Sequence, residues 1–166
     1  MDHDLATELH RRAEEDQAVR RLPAGTHDGR EMRRIDVGNT AWLQQVIAEH
    51  GWPGVALAGE QGAEEAWLLA QHADLDPAFQ RHALELLKAA VEAGDASPRH
   101  LAYLTDRVLV AAGEPQVYGT QYTHDPDGSN LRPQPVADPD RLDERRAAMG
   151  LEPAAAYDRR MHGLEQ

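Results

Sequence analysis

The sequence contains no cysteine, and among its 166 residues it has one phenylalanine and one lysine. Without cysteine, disulfide bonds, thiolate nucleophiles and cysteine-bound metal sites are excluded. Residues that favour strands are scarce as well, because 27 alanines and 18 leucines stand against 9 valines and 2 isoleucines. Since alanine and leucine favour helices, whereas strands prefer β-branched and aromatic residues, the composition predicts an all-α fold.

Basic residues are also few. The chain has 17 lysines and arginines against 29 acidic residues, a formal charge of −12, which argues against a protein that binds nucleic acid through phosphates. No apolar run approaches the roughly 20 residues that span a bilayer. The acidic start Met1-Asp2-His3-Asp4 lacks the basic and then apolar pattern of a secretory signal. We therefore expect a cytoplasmic protein that binds neither nucleic acid nor membranes.

The length suits a single helical domain over 1–166. Apolar periodicity and the positions of proline and glycine predict a bundle of six to seven helices, of which the first, within 1–25, is highly charged and the last two fill 138–162. The predicted helices cover 4–22, 28–50, 59–73, 77–94, 99–112, 139–149 and 153–161.

The segment 115–136 differs from the rest of the chain. Its first part, 116–123, is rich in residues that favour strands, and Asp125-Pro126-Asp127-Gly128 is a strong turn sequence. We therefore predict a short β-hairpin inserted into the bundle, with the chain returning through 131–136.

The first candidate for chemistry lies at the end of the most apolar predicted helix, at His72 and Asp74. His72 follows Leu68 by about one turn, so its ring is expected in packed surroundings. A carboxylate next to such an imidazole can tune it as a general acid or base. The alternative is a structural histidine that hydrogen-bonds a neighbouring helix end.

Two further candidates lie later in the chain. Arg107, next to Asp106, can clamp a carboxylate or phosphate through its planar guanidinium, although an ion pair between helices is the alternative. The segment 118–122 combines two tyrosines, a threonine, a glutamine and a glycine, a mixture that can line a pocket. Its alternative interpretation is an edge hairpin that caps the bundle.

The histidines show no recognisable metal-binding spacing. The sequence has neither a His-Glu-x-x-His motif nor the paired Glu-x-x-His of di-iron bundles, and it has no phosphate-binding glycine loop. We therefore predict no metal and no cofactor. A metal-dependent bundle enzyme remains an alternative, in which ligands come from His50, His72, His82 and His100 with nearby carboxylates.

Several strings occur here in the same order as in a bacterial family of uncharacterised proteins: Asn39-Thr40-Ala41-Trp42-Leu43, His50-Gly51-Trp52-Pro53, the segment 66–74, Tyr103-Leu104-Thr105-Asp106-Arg107 and the segment 115–121. Over nearly its whole length the chain resembles this family, named domain of unknown function 6624. The resemblance implies membership but carries over no activity. The recurring polar positions of the family are present here as Gln71, His72, Asp74, Gln80, Asp106, Arg107, Gln116, Tyr118, Gly119 and Gln121.

We expect these polar residues to form one pocket of a small helical enzyme. Its chemistry would be acid–base catalysis, such as hydrolysis, elimination or cyclisation, on a small polar or anionic substrate. His72 would move the proton, Asp74 or Asp106 would orient it, and Arg107 would hold the charge of the substrate. The remaining candidate substrate-binding residues are Gln71, Gln116, Tyr118, Gly119 and Gln121. The alternative is a non-catalytic module that binds a small molecule or a protein; the oligomeric state is not predicted.

Overall fold

The computed structural model describes residues 1–21 and 29–164. These residues form seven α-helices and a two-stranded antiparallel hairpin, which confirms the predicted all-α fold with a hairpin insertion. The hairpin consists of β1 (Tyr122–Thr123) and β2 (Arg132–Pro133), and a 3₁₀ turn covers Pro139–Arg141. The helices are α1 (His3–Arg20), α2 (Arg30–His50), α3 (Val55–Gln71), α4 (Pro77–Glu92), α5 (Pro98–Ala111), α6 (Leu142–Ala148) and α7 (Ala154–Met161).

Side-chain caps fix the starts of two helices. The Asp76 carboxylate accepts a hydrogen bond from the Phe79 backbone N–H, and Pro77 occupies the first turn of α4. At the start of α1, the Asp2 carboxylate accepts from two backbone N–H groups, so this helix begins at residue 3 rather than at residue 4. Residues 22 and 28, assigned from sequence to the first two helices, lie outside the described residues.

Helix α3 begins at Val55, four residues before its predicted start. The glycine that we took for the start of the helix, Gly59, lies at a kink inside it. Here φ is 76° and ψ is 170°, a combination that is essentially restricted to glycine. A Cβ atom at this position would also lie 3.1 Å from the Met1 sulfur. The predicted helix start at residue 59 therefore marks an internal kink.

By its internal contacts the chain divides into two compact units, Met1–Ser97 and Pro98–Gln166. The first unit contains α1 to α4, and the second contains α5, the hairpin, α6 and α7. The expectation of one domain over 1–166 stays a prediction.

In the first unit, α1 and α3 pack side by side and run in the same direction. The Asp2 N–H donates to the Leu57 carbonyl near their starts. Leu9 packs on Gly62 farther along, where the missing Cβ allows the two helices to approach closely. The apolar core around them is fully or almost fully buried and includes Leu9, Leu43, Ala66, Leu69, Ala70, Ala83 and Leu87.

In the second unit, the chain between α5 and β1 packs as an irregular loop rather than as a strand. An isolated bridge joins Gln116 to Val136, and the hairpin then pairs Tyr122 with Pro133 and Thr123 with Arg132. Leu104 and Asp106 on α5 are both fully buried. None of the helices within the described residues is both long enough and apolar enough to cross a bilayer.

Candidate functional site

Helix α1 carries a fully buried carboxylate, Asp16. Its position explains the burial, since Leu9, Ala13 and Val19 recur on the same side of the helix and are buried as well. An ionised carboxylate away from water is costly unless charged or hydrogen-bonding groups surround it. The partners of Asp16 therefore define the chemistry at this place.

One of these partners is His72, the C-cap residue of α3. Its Nδ1 atom lies 2.9 Å from Asp16 Oδ2 and 3.1 Å from Oδ1. An ionised carboxylate only accepts hydrogen bonds, so Nδ1 carries the proton and Nε2 of the neutral ring has the free lone pair. Within the described residues Nε2 has no hydrogen-bond partner, and 17% of the His72 side chain is exposed.

Arg20 supplies the positive charge that compensates Asp16. Its Nη1 atom lies 2.9 Å from Asp16 Oδ1, and its Nη2 donates to Asp36 Oδ1 on α2 at 2.7 Å. Gln17 Nε2 adds a hydrogen bond to Asp16 Oδ2 at 2.9 Å. With a neutral imidazole the cluster of Asp16, Arg20, Asp36 and His72 carries one negative charge, and a proton on His72 neutralises it. We call these four residues the His72 cluster.

The neighbours of His72 in sequence have different surroundings. Gln71 is 7% exposed, and its side-chain Oε1 is buried without a hydrogen-bond partner among the described residues. Asp74 is exposed, and its Oδ1 accepts from Gln80 Nε2 at 3.1 Å. Gln80 also donates to the Gln71 carbonyl, so it ties the end of α3 to α4. The carboxylate that holds His72 Nδ1 thus belongs to Asp16, and not to Asp74 or Asp106 as the sequence had suggested.

Asp106, in the second unit, holds a loop. Its carboxylate accepts hydrogen bonds from the backbone N–H groups of Val117, Tyr118 and Thr120 and from the Thr120 hydroxyl, at 2.7 to 3.2 Å. These donors occupy both oxygens of a side chain that is fully buried. Its geometry is that of a structural anchor.

Other predicted site residues bind the same loop, which we define as residues 116–121. Gln116 is fully buried and donates to the Gln121 and Gln134 carbonyls, while its own oxygen accepts from the Gln121 N–H. The Gln121 side chain accepts from Arg107 Nη1 at 3.1 Å and donates to Thr120 Oγ1. The amide groups of both glutamines are therefore used within this unit.

Three residues from α6 and α7 bind the outward carbonyls of the loop 116–121. Arg145 donates to the Val117 carbonyl, the almost fully buried Arg146 to the Tyr118 carbonyl, and the Tyr157 hydroxyl to the Thr120 carbonyl. Because the N–H groups and the carbonyls of the loop are both bound, it is rigid. The sequence reasoning missed this role of the two arginines and the tyrosine.

Tyr118 and Gly119 sit at the centre of the loop 116–121. Burial, with a smaller effect of the nearby Asp106 charge, raises the pKa of the Tyr118 phenol above its usual value of 10.0. Gly119 has a φ of 66°, and a Cβ there would lie 3.4 Å from a Leu142 methyl group. The backbone conformation and the close packing at position 119 together explain why a glycine is present there.

The structure therefore divides the predicted site residues between the two units. Gln71, His72 and Asp74 lie at the end of α3 and just beyond it in the first unit, and the six others lie on α5 and in the loop 116–121 of the second. That all of them form one pocket stays a prediction. Among the described residues, no three histidine, aspartate or glutamate side chains come close enough together to hold a metal ion.

The residue that sequence reasoning missed in the first unit is Asp16. The signal was present, since a carboxylate three residues from Ala13 and from Val19 falls on the apolar side of α1. Its partner Arg20 follows one helical turn later, which is the spacing of an ion pair on a helix surface.

Residues 3–164 match the family described as Family of unknown function (DUF6624), and the chain belongs to that family. The predicted family membership is therefore confirmed. No curated protein and no solved structure matches this chain. Any activity has to be argued from the geometry described above.

Proposed function

We propose that this protein is a small helical enzyme that performs acid–base chemistry with His72 as the proton-transfer residue. The observation that carries the proposal is the 2.9 Å contact between His72 Nδ1 and the fully buried Asp16, together with a free Nε2 on a partly exposed ring. A buried carboxylate behind an imidazole fixes the tautomer and the direction of the ring. A structural histidine needs neither a free Nε2 nor exposure.

In the proposed reaction, Nε2 of His72 takes a proton from the substrate or from a water molecule and later returns it to the leaving group. Asp16 stabilises the imidazolium that forms, because the ring then carries a charge next to the carboxylate. Arg20 and Asp36 keep the Asp16 carboxylate in place through the ion pairs described above. The reaction class is hydrolysis, elimination or cyclisation.

The proposed substrate is a small polar or anionic molecule. Gln71 supports a polar substrate, because its buried Oε1 has no partner within the described residues and most buried polar atoms are hydrogen-bonded. Arg107 and Tyr118 stay proposed substrate-binding residues. Asp106 and Gln116 use their polar atoms to hold the loop 116–121, so we leave them out of the chemistry. We place the activity in the bacterial cytoplasm, which a chain without cysteine suits.

A non-catalytic module that binds a small molecule or a protein is the second candidate function. The rigid loop 116–121 favours it, since a preformed loop binds a partner with little loss of conformational entropy. Native mass spectrometry of the purified protein distinguishes the two, because a binding module is expected to retain a ligand and to turn nothing over.

The test of the enzyme proposal is a set of small esters, lactones, lactams and phosphate monoesters offered to the protein and its variants. We expect His72→Ala and His72→Gln to lose at least about a hundredfold in turnover while both keep a cooperative thermal transition. His82→Ala, which removes an exposed histidine on α4, is the matched control and should remain active. Full activity of both His72 variants would remove His72 from the chemistry.

A further inference from the structure

A second polar site lies between α1 and α3, away from the His72 cluster. It is an open cleft of about 410 Å³, and its floor is formed by small residues of the two helices, including Ala6, Ala58 and Gly62. Glu65, which lines the cleft, precedes His72 by seven residues on α3, a separation of about 10 Å along the helix axis.

Glu65 is the polar centre of this cleft. The residue is 8% exposed, and its Oε1 accepts hydrogen bonds from His10 Nδ1 at 2.7 Å and from Gln61 Nε2 at 2.9 Å. Its Oε2 is buried and has no hydrogen-bond partner among the described residues. A carboxylate that accepts at one oxygen only keeps unused acceptor capacity, which in a protein interior is unusual.

The groups around Glu65 favour a ligand that donates hydrogen bonds. His10 is the main donor to the carboxylate, yet 55% of its side chain is exposed, so an entering ligand can displace it. Within the described part of the chain, Gln61 Oε1 has no donor, which adds a second acceptor at the cleft. Residues 1–97 contain 9 lysines and arginines against 18 acidic residues, and the resulting negative potential attracts cations.

We propose that this cleft binds a small organic molecule through a primary ammonium group, with Glu65 as its counter-ion. The ammonium group donates to the Glu65 carboxylate and to Gln61 Oε1, and the carbon chain of the ligand lies on Ala6, Ala58 and Gly62. The ammonium group takes the place of His10 Nδ1 at Glu65 Oε1, and Gln61 Nε2 keeps its hydrogen bond to the same oxygen. This site does not depend on the proposed reaction at His72.

The test is an NMR titration of the full-length protein with n-butylammonium chloride, followed at the ring C–H signals of His10. We expect a saturable shift of these signals, and a weaker, non-saturating response to n-butanol, which has the same shape without the charge. Glu65→Gln should weaken the binding of n-butylammonium by about tenfold or more, since the charge-assisted hydrogen bond is lost. Glu64→Gln, at the exposed neighbouring position, should leave it unchanged.

A third variant keeps the proposal testable if Glu65→Gln does not fold. His10→Asn removes the imidazole that competes for Glu65, so the affinity for n-butylammonium should stay equal or rise, as followed at the backbone amide of Gln61. The proposal is overturned if n-butylammonium gives no saturable shift, if Glu64→Gln weakens binding as much as Glu65→Gln does, or if magnesium chloride alone produces the same saturable shift. His72→Ala should not affect the titration.

Discussion

The side chain on which the proposed chemistry depends is Asp16, a carboxylate with no exposed surface. Removing one partner from a buried ion pair leaves the other charges uncompensated, which costs more than the pair contributes. Asp16 serves Arg20 and His72 at once, so the two interactions are coupled and their energies do not add.

We predict that Asp16→Asn lowers the free energy of unfolding by about 2 kcal/mol, because Arg20 and His72 lose a buried charged acceptor while Arg20 keeps its ion pair with Asp36. The matched control is Glu15→Gln, one residue earlier, where the carboxylate is 40% exposed and pairs with Arg11 on the surface. Its cost should stay below about 1 kcal/mol. Urea denaturation of both variants measures these changes. Equal losses of unfolding free energy would mean that the Asp16 carboxylate contributes no more than an exposed one.

The sequence identified His72 but not the residue that orients it. His72 stood out because it follows an apolar run and neighbours Asp74, and both facts are local. Asp16 lies 56 residues earlier in a helix with many other charges, and only its position on the apolar side of α1 distinguishes it. Which carboxylate reaches His72 Nδ1 depends on the packing of α1 against α3, which no local pattern contains.

At the scale of the elements, the loop 116–121 is the clearest example of polar residues used for structure. From the sequence we predicted that Asp106 on the fifth helix and Gln116, Gly119 and Gln121 after it form a pocket, because these positions recur in the family and polar residues in a loop are typical of ligand sites. The structure pairs the Asp106 and Gln116 side chains mainly with the backbone of the loop, and the Gln121 side chain with Arg107 and Thr120. Composition shows that donors and acceptors are present, but only the fold determines which of them meet.

We predict that Asp106→Asn loosens this loop. The amide nitrogen of asparagine cannot accept from the backbone N–H groups of Tyr118 or Thr120, so at least one hydrogen bond to a charged acceptor is lost, at a cost of about 2 kcal/mol. Amide hydrogen exchange at Val117, Tyr118 and Thr120 should accelerate by at least about tenfold. Exposed Glu114→Gln serves as the control, and unchanged exchange in Asp106→Asn would contradict the anchoring role.

Two helix starts were predicted closely, because a capping residue followed by proline is a local signal. Asp76-Pro77 and Ser97-Pro98 mark the starts of α4 and α5 to within one residue. The kink inside α3 could not be predicted in the same way, because a glycine at position 59 is equally compatible with a helix start and with a kink inside a helix.

Two glycines of the first unit offer a matched pair of substitutions to alanine. Gly59→Ala should destabilise the protein by at least about 2 kcal/mol, because alanine does not tolerate a φ of 76° with a ψ of 170°. Gly38→Ala, in regular α2 with open space around the added methyl group, should stabilise it by about 0.5–1 kcal/mol. Thermal unfolding of the two variants measures both effects, and a stabilising Gly59→Ala would show that the kink is not required.

For the molecule as a whole, the response to acid gives a further prediction. Burial, aided by the charge of Arg99, lowers the pKa of His100 from its ordinary value of 6.5 to about 4. The unfolded chain therefore binds a proton at this residue between these two values while the folded chain does not, so stability falls as the pH drops through this range.

The stability that the folded protein has with a neutral His100 is present in full above about pH 6.5. It is lost progressively as the pH falls towards about 4. It amounts to at most about 3 kcal/mol, reduced by the partial exposure of the ring. His100→Asn should remove it, so the stability of the variant should fall less steeply than that of the wild type between these pH values in urea denaturation. Parallel pH curves for the two proteins would mean that His100 titrates normally.

Asp16 holds His72 with its Nε2 lone pair free for proton transfer, and the tautomer of the neutral His72 ring tests this arrangement directly. Long-range ¹H–¹⁵N correlation spectra report which nitrogen carries the proton in the neutral ring. We predict that Nδ1 of His72 is protonated in the wild type and that Asp16→Asn abolishes this preference. A wild-type spectrum with the proton on Nε2 would contradict the account, because the nitrogen assigned to the chemistry would then have no lone pair to accept a proton.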